Sequence, residues 1–209
     1  MAHVLSVNVG RPAEVGTRRG RPVRSAIGKA PVSGRAAVAG VNVAGDDQAD
    51  RRVHGGPDKA VYAYAAEDTA WWEAELGRDL GPGAFGENLT VEGVDVTGAV
   101  IGERWRIGTA QLEVCQPRLP CFKLGLRFGD PGMVRRFTQA GRPGAYLRIV
   151  DEGEIGAADE IAVARRPGHG VTVGMVARAI LVDHALLTRA AAAPELPAEL
   201  ASWMRERAA

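Results

Sequence analysis

Cys121 carries the most reactive side-chain type in a tightly constrained stretch, Gln116-Pro117-Arg118-Leu119-Pro120-Cys121-Phe122-Lys123-Leu124. Proline fixes its own φ and restricts the residue before it, so Pro117 and Pro120 force an ordered, extended excursion at the end of a strand. Such an excursion can present a side chain. A thiolate there can ligate a metal or act as a nucleophile, and Arg118 and Lys123 are cations that favour the charged form if the fold brings them close. The alternative is a buried, inert thiol. Cys115 lies in an apolar alternation with Leu112 and Val114 that leaves its facing undecided, and it is read as structural.

A second candidate lies in Gly45-Asp46-Asp47-Gln48-Ala49-Asp50-Arg51-Arg52-Val53-His54-Gly55-Gly56-Pro57-Asp58-Lys59-Ala60-Val61-Tyr62. Gly55 and Gly56 allow close backbone approach and Lys59 adds a positive charge, so the loop can cradle an oxyanion or be a plain turn with solvated charges. It is not a Walker loop. His54 can donate to a phosphate or serve as a structural hydrogen-bonding group. In Gly83-Ala84-Phe85-Gly86-Glu87-Asn88-Leu89-Thr90, the carboxylate of Glu87 and the amide of Asn88 stand at a strand entrance, where they either order a ligand or fix the turn. Lys29, at the start of Ala30-Pro31-Val32, reaches the same anion as Lys59 if their strands pair. Arg18, Arg19, Arg21 and Arg24 read as a solvated loop, and no aromatic residues are interleaved to stack nucleic acid bases.

The chain of 209 residues is long enough for a substantial core, as one large domain or one domain with an appendage. Lys and Arg number 26 against 25 Asp and Glu, and a net charge of +1 gives no global field for nucleic acid or an anionic membrane. Any anion must be held locally. The opening Met1-Ala2-His3-Val4 lacks a signal-peptide pattern and no apolar run approaches a membrane span, so a cytoplasmic location is expected. Two cysteines are too few for a disulfide framework, and a Cys115–Cys121 bridge would conflict with the reduced compartment this implies.

The elements that must position these residues are mainly short strands broken by glycine turns up to about residue 168. Leu5, Val7 and Val9 alternate with Ser6 and Asn8, and further strands are expected over 35–43, 60–64, 89–91, 104–107, 110–114, 145–150 and 160–164. Many short strands favour closure into a barrel over a βαβ repeat. Helices are expected over 67–76 and 133–140, each ending at glycine. Beyond Gly168 the pattern becomes helical. Thr172 can cap a helix presenting Val173, Val176, Ala177 and Ile180, and Asp183 and Pro197 suit two further starts. The division is therefore a β-rich domain over 1–168 and a three-helix module over 169–209. The module's Leu200, Trp203 and Met204 suggest packing on the barrel or on another subunit, as in a homodimer.

Taken together, the Lys29 segment, the Gly45–Val61 loop, Phe85-Gly86-Glu87-Asn88-Leu89 and the Gln116–Leu124 stretch resemble the MOSC family, the molybdenum cofactor sulfurase C-terminal domain group. The tail after Thr172 is similar to the three-helix module of its YiiM-like branch. The resemblance implies a mainly β fold with helices, a MOSC-type β-barrel with short flanking helices followed by the helical module. It implies binding of the molybdenum cofactor, a pterin dithiolene, with Cys121 as metal ligand and catalytic centre. Lys29, His54, Gly55, Gly56, Lys59, Asn88 and Arg118 are then candidates for holding the pterin and its phosphate, while Gln48 and Asp58 order the loops. The activity implied is reduction of a small N-hydroxylated compound, such as an N-hydroxylated purine base, with electrons from a separate flavin or iron–sulfur donor. Nucleic acid and membrane are not expected partners. Two other functions fit the same thiol: a sulfur carrier using a Cys121 persulfide, and a non-catalytic molybdopterin carrier.

Overall fold

A computed structural model describes residues 1–47 and 55–208. The described residues form thirteen strands: β1 (His3–Val9), β2 (Ala13–Arg18), β3 (Arg21–Ser25), β4 (Ala30–Pro31), β5 (Arg35–Ala39), β6 (Asn42–Val43), β7 (Val61–Ala65), β8 (Leu89–Glu92), β9 (Arg104–Ile107), β10 (Ala110–Pro117), β11 (Ala145–Asp151), β12 (Gly153–Gly156) and β13 (Ile161–Arg165). Helix α1 (Ala66–Leu76) joins β7 to β8, and α2 (Phe122–Phe128) and α3 (Met133–Ala140) lie between β10 and β11. Helices α4 (Val173–Leu181), α5 (Leu187–Ala190) and α6 (Ala198–Ala208) form the tail.

An eight-stranded sheet, ordered β13-β9-β10-β11-β7-β8-β1-β4, forms the centre, with separate β12-β5-β6 and β2-β3 ladders. The fold is therefore mixed α and β around a large sheet. The sheet is not closed into the expected barrel by a continuous ladder: β1 meets the entrance of β13 at an isolated bridge, His3 to Glu160, with Val4 N–H donating to Asp159 O and Ile161 N–H to Ala2 O, both at 2.9 Å. One βαβ unit is present, made by β7, α1 and β8 with β7 and β8 paired in parallel, and it is not repeated among the described residues. The rest of the sheet pairs antiparallel.

The first strand keeps Val7 in the core, with Val9 packed against it, but departs from its simple alternation at Leu5 and buries its polar residues as well. Ser6 and Asn8 are buried, while Leu5 is 40% exposed. The pairing of β1 with β8 shifts register between Val4 and Ser6, and one such shift transfers the following residues to the opposite face. The buried polar groups satisfy each other: Ser6 donates to Asn8 Oδ1 at 3.0 Å and Asn8 Nδ2 to Thr90 Oγ1 at 3.1 Å. The arginine-rich segment expected as a loop is the β2-β3 hairpin.

Strand β7 is buried along its whole length because it serves two cores. Val61, Ala63 and Ala65 join a large aliphatic cluster with Trp105, Leu112 and Leu147. Tyr62 and Tyr64 turn to the other side, into an aromatic cluster with Trp72, Phe85, Phe128 and Phe137. The tail belongs to the aliphatic cluster through Val173, Val176, Leu187 and Met204. Thr172 does cap α4, its hydroxyl accepting from Met175 N–H at 3.1 Å. No helix among the described residues is long and apolar enough to cross a membrane.

Candidate functional site

Above the aromatic cluster lies an open cleft of about 680 Å³, counting the solvent at its mouth. Five of the eight residues named from sequence as holding the cofactor line it: Lys29, Lys59, Asn88, Arg118 and Cys121. They arrive from different elements, and each is placed by identifiable bonds.

Cys121 follows the Pro120 that ends the excursion beyond β10 and serves as the extended residue before α2, with φ −130° and ψ 170°. It is half-buried and, like Cys115, a free thiol. The two differ sharply. Cys115 is fully buried inside β10, donates to the carbonyls of Asp58 and Tyr146 at 3.0 and 3.3 Å, and burial pushes its thiol up to about 12. It is the inert thiol of the pair.

Arg118 is only 6% exposed. Its guanidinium stacks near the rings of Phe137 and Tyr62, 5.3 and 5.7 Å from their centroids. Burial opposes its charge, but Tyr62, Tyr146 and Cys121 hold the guanidinium above its ordinary range. Among the described residues its Nη1 has no hydrogen-bond partner. A buried donor of this kind, on a group that remains charged, is a site prepared for an acceptor brought by a ligand.

Lys29 and Asn88 are both tied to Asp46, a residue that the sequence reading placed in the loop but gave no role. Lys29 Nζ forms a buried ion pair with Asp46 Oδ2, and their side chains are 8% and 2% exposed. Burial pulls the Lys29 amine below its usual value, against the attraction of Asp46. The second oxygen of Asp46 accepts from Gly10 N–H at 2.7 Å. Asn88 spends its amide inside the fold: Nδ2 donates to Asp46 Oδ2 at 2.9 Å and Asn8 O at 3.2 Å, and Oδ1 accepts from Tyr62 N–H at 3.1 Å. It thus staples β1, β7 and β8 beneath the cleft. Glu87 fixes the turn before it, accepting from Gly83 and Phe85 N–H at 2.6 and 3.0 Å and from the Thr90 hydroxyl at 3.0 Å.

Lys59 closes a 3-10 turn, Pro57–Lys59, headed by Gly56 at φ 99°, a conformation that favours glycine. Gly55 and Gly56 precede this turn and are not among the cleft's described lining residues. His54 and Gln48 lie outside the described residues. Asp58 orders the turn: its carbonyl accepts from Gln116 Nε2 at 3.0 Å and its carboxylate pairs with Arg148 at 2.8 Å. Tyr62, Tyr146, Phe85, Lys123 and the Ser25–Ile27 segment complete the walls. Alternation of Tyr62 and Tyr64 within an apolar strand was the available signal for the aromatic floor. Nothing local marked Tyr146.

A half-exposed thiol beside a buried, unsatisfied guanidinium and a cationic rim is what the quoted motifs bring together. Residues 50–162 match the MOSC domain family. The chain belongs to that family. Among its relatives, an uncharacterised protein of Bacillus subtilis strain 168, YflK, is 39% identical over 170 residues, covering 81% of this chain and 76% of YflK. Protein YiiM of Escherichia coli K12 is 34% identical over 142 residues, 66% of this chain and 62% of that protein. A protein of Gibberella moniliformis named as a reductase is 33% identical over 182 residues; they cover 85% of this chain but 32% of the reductase. The crystal structure of YiiM from Geobacillus stearothermophilus superposes with a TM-score of 0.82 at 29% identity, covering both chains completely. This MOSC protein is thus YiiM-like over its whole length, helical tail included, and its family is associated with the molybdenum cofactor.

Proposed function

We propose that this MOSC protein is a molybdenum-cofactor oxidoreductase that reduces small N-hydroxylated compounds with electrons from a separate flavin or iron–sulfur donor. The observation that carries the reading is the pairing of Cys121 with the unsatisfied Nη1 of Arg118 in one cleft. Among the described residues no three His, Cys, Asp or Glu side chains stand together as a metal cage. A single thiolate suits a soft metal that brings its remaining ligands with it.

The residues present fit such a group. Cys121 would be its protein ligand, Arg118 and Lys59 would face its anionic part, and Asp46 would hold Lys29 in place at the wall. When bound, the cofactor supplies two-electron redox chemistry at the metal. Overall, the N–O bond breaks, two electrons and two protons are taken up, and water leaves with the amine as co-product. The aromatic floor of Tyr62, Phe85 and Tyr146 offers flat apolar surface to a planar base. Similarity to a protein named as a reductase, of which this chain matches a third, agrees with a redox role whose electrons enter from elsewhere.

Protein made in cells that synthesise molybdopterin should contain close to one molybdenum and one pterin per chain, and Cys121→Ser should lose the metal. Full metal content and activity in Cys121→Ser would sink the assignment of the ligand. Loaded wild type with neither metal nor pterin, but with one extra sulfur on Cys121 by mass spectrometry, would replace the reading with a sulfur carrier. Stoichiometric cofactor with no turnover of an N-hydroxylated base by reduced dye would leave a molybdopterin carrier.

A further inference from the structure

The β2-β3 hairpin concentrates charge as nothing else in the chain does. Residues 11–25 hold Arg11, Arg18, Arg19, Arg21 and Arg24 against Glu14 alone, a local charge of +4, so the remainder of a chain with net charge +1 sums to −3. All five arginines are exposed, and none forms an ion pair with a carboxylate among the described residues. Arg18 and Arg21 are directly opposite across the ladder, flanking the Arg19-Gly20 turn. Like charges placed so are unfavourable to the hairpin itself. Among the described residues the hairpin pairs with no other strand.

The hairpin also adjoins the cleft. Arg18 lies over the ring of Phe122, 4.0 Å from its centroid, and Phe122 is the residue after Cys121. On the next turn of α2, Leu126 packs under Gly16, where a Cβ would stand 3.4 Å from its Cδ2. Strand β3 runs straight into Ser25, Ala26 and Ile27, which wall the cleft, and Lys123 of α2 lines the same opening. Arg18 and Lys123 therefore set positive charge on either side of Phe122, between the hairpin and the opening that holds the thiol.

We propose that the basic hairpin is the docking surface for an acidic electron-donor protein, which would deliver electrons at the mouth of the cleft. The inference rests on the reductase reading, which requires a donor and leaves its point of entry open. An acidic protein is favoured over a nucleic acid because the patch is compact and no exposed aromatic ring on the hairpin offers a stacking platform. Charge complementarity of this kind acts chiefly on the encounter rate and is screened by salt.

The test uses holoprotein, with reduced flavodoxin as the acidic donor and reduced methyl viologen as a small donor that needs no docking face. Wild type and Arg18→Glu/Arg21→Glu are compared at low and moderate ionic strength. The double variant should lose about ten-fold or more of the flavodoxin-driven kcat/KM at low salt and keep its viologen-driven rate, and the wild-type flavodoxin rate should fall as salt rises. Equal flavodoxin rates in the two proteins, with viologen turnover intact, would overturn the docking surface and spare the reductase reading. No viologen turnover in fully loaded wild type would instead overturn the reductase reading. Titration with oxidised flavodoxin then decides docking without catalysis: salt-sensitive binding lost in the double variant sustains it. Failure of wild type to bind at low salt, or tighter binding to an oligonucleotide or to phosphatidylglycerol vesicles, rejects it.

Discussion

The carboxylate of Asp46 holds Lys29, Asn88 and the backbone of Gly10 at once, in a place where both members of the ion pair are almost wholly buried. Removing either partner therefore has unequal effects. Lys29→Met leaves a buried anion with two neutral donors and should cost about 3–5 kcal/mol. Asp46→Asn should cost less, because the Lys29 amine is already lowered by burial and can release its proton. A folded state that binds the proton more weakly than the unfolded chain gains stability with rising pH, so the Asp46→Asn protein should recover as pH climbs towards 10.5. Urea unfolding of both variants across that range checks the order and the slope. The two cysteines give a second test. At pH 8, iodoacetamide should label native protein once, at Cys121, and urea-unfolded protein twice, read by peptide mass spectrometry. The Cys115 thiol is held up to about 12 in the fold against 9.0 for an ordinary one, so the native state keeps a proton that the unfolded chain loses. Its contribution to stability is present below about 9.0 and declines as pH rises towards about 12. Cys115→Ala should flatten that decline.

The elements around the cleft depend on backbone approaches that only glycine permits. Gly86 has φ +80°, and a Cβ there would come within 2.9 Å of Ile27 Cγ1 and 3.3 Å of Ile27 O. The loop before β8 is thereby pressed against the cleft wall. Gly86→Ala should cost more than the roughly 1–2 kcal/mol of the left-handed backbone alone, and should lower molybdenum content at temperatures where the fold persists. Gly20→Ala, at φ +73° with nothing within 4 Å, should show the backbone cost and normal metal content. Thermal unfolding and metal analysis of the pair separate crowding from conformation. Much of this level was legible in the sequence. Strand β9 and helix α3 coincide with their expected bounds, and most other strands differ by a residue or a few at their ends. The misses have physical causes. Helix α2 was hidden by the two prolines before it, which speak only for the extended segment, while Phe122 to Phe128 gains its stability by burying Leu124 and Phe128 in the aromatic cluster. The hairpin was hidden by its charge. Arg18, Arg19, Arg21 and Arg24 read as solvated loop, but the pairing of Ala13–Arg18 with Arg21–Ser25 is set by the turn and by packing of Gly16 on Leu126. The role of Asp46 was illegible because a carboxylate reveals its partners only when strands distant in sequence meet.

At the scale of the molecule, the composition change near residue 168 suggested a boundary, and the packing makes that boundary a matter of energetics. Val173, Val176, Leu187 and Met204 share one apolar cluster with Trp105 and Leu112, all of them almost fully buried. An ion pair and a hydrogen bond reinforce the contact: Arg165 donates to Glu195 Oε1 at 3.0 Å, and Arg148 donates to the backbone carbonyl of Glu195 at 3.0 Å. Arg148 also pairs with the buried Glu113 and with Asp58, the residue that orders the turn carrying Lys59. Arg148 thus links the tail to the turn that carries Lys59. If 1–168 were an autonomous domain, deleting the tail would leave its stability and metal content intact. The packing argues otherwise, because each large apolar side chain of the tail removed from the cluster withdraws about 2–5 kcal/mol, and the loss of several exceeds the 5–15 kcal/mol of a typical domain. A chain ending at residue 168 should therefore be aggregation-prone or bind a hydrophobic dye, with its near-ultraviolet circular dichroism lost. Arg148→Met in the full chain is the milder companion: it should remain folded but bind less cofactor, because the turn that carries Lys59 loses the partner of Asp58. A truncated chain with a sharp, native-like unfolding transition and full cofactor would show instead that the tail is an appendage resting on a core already complete.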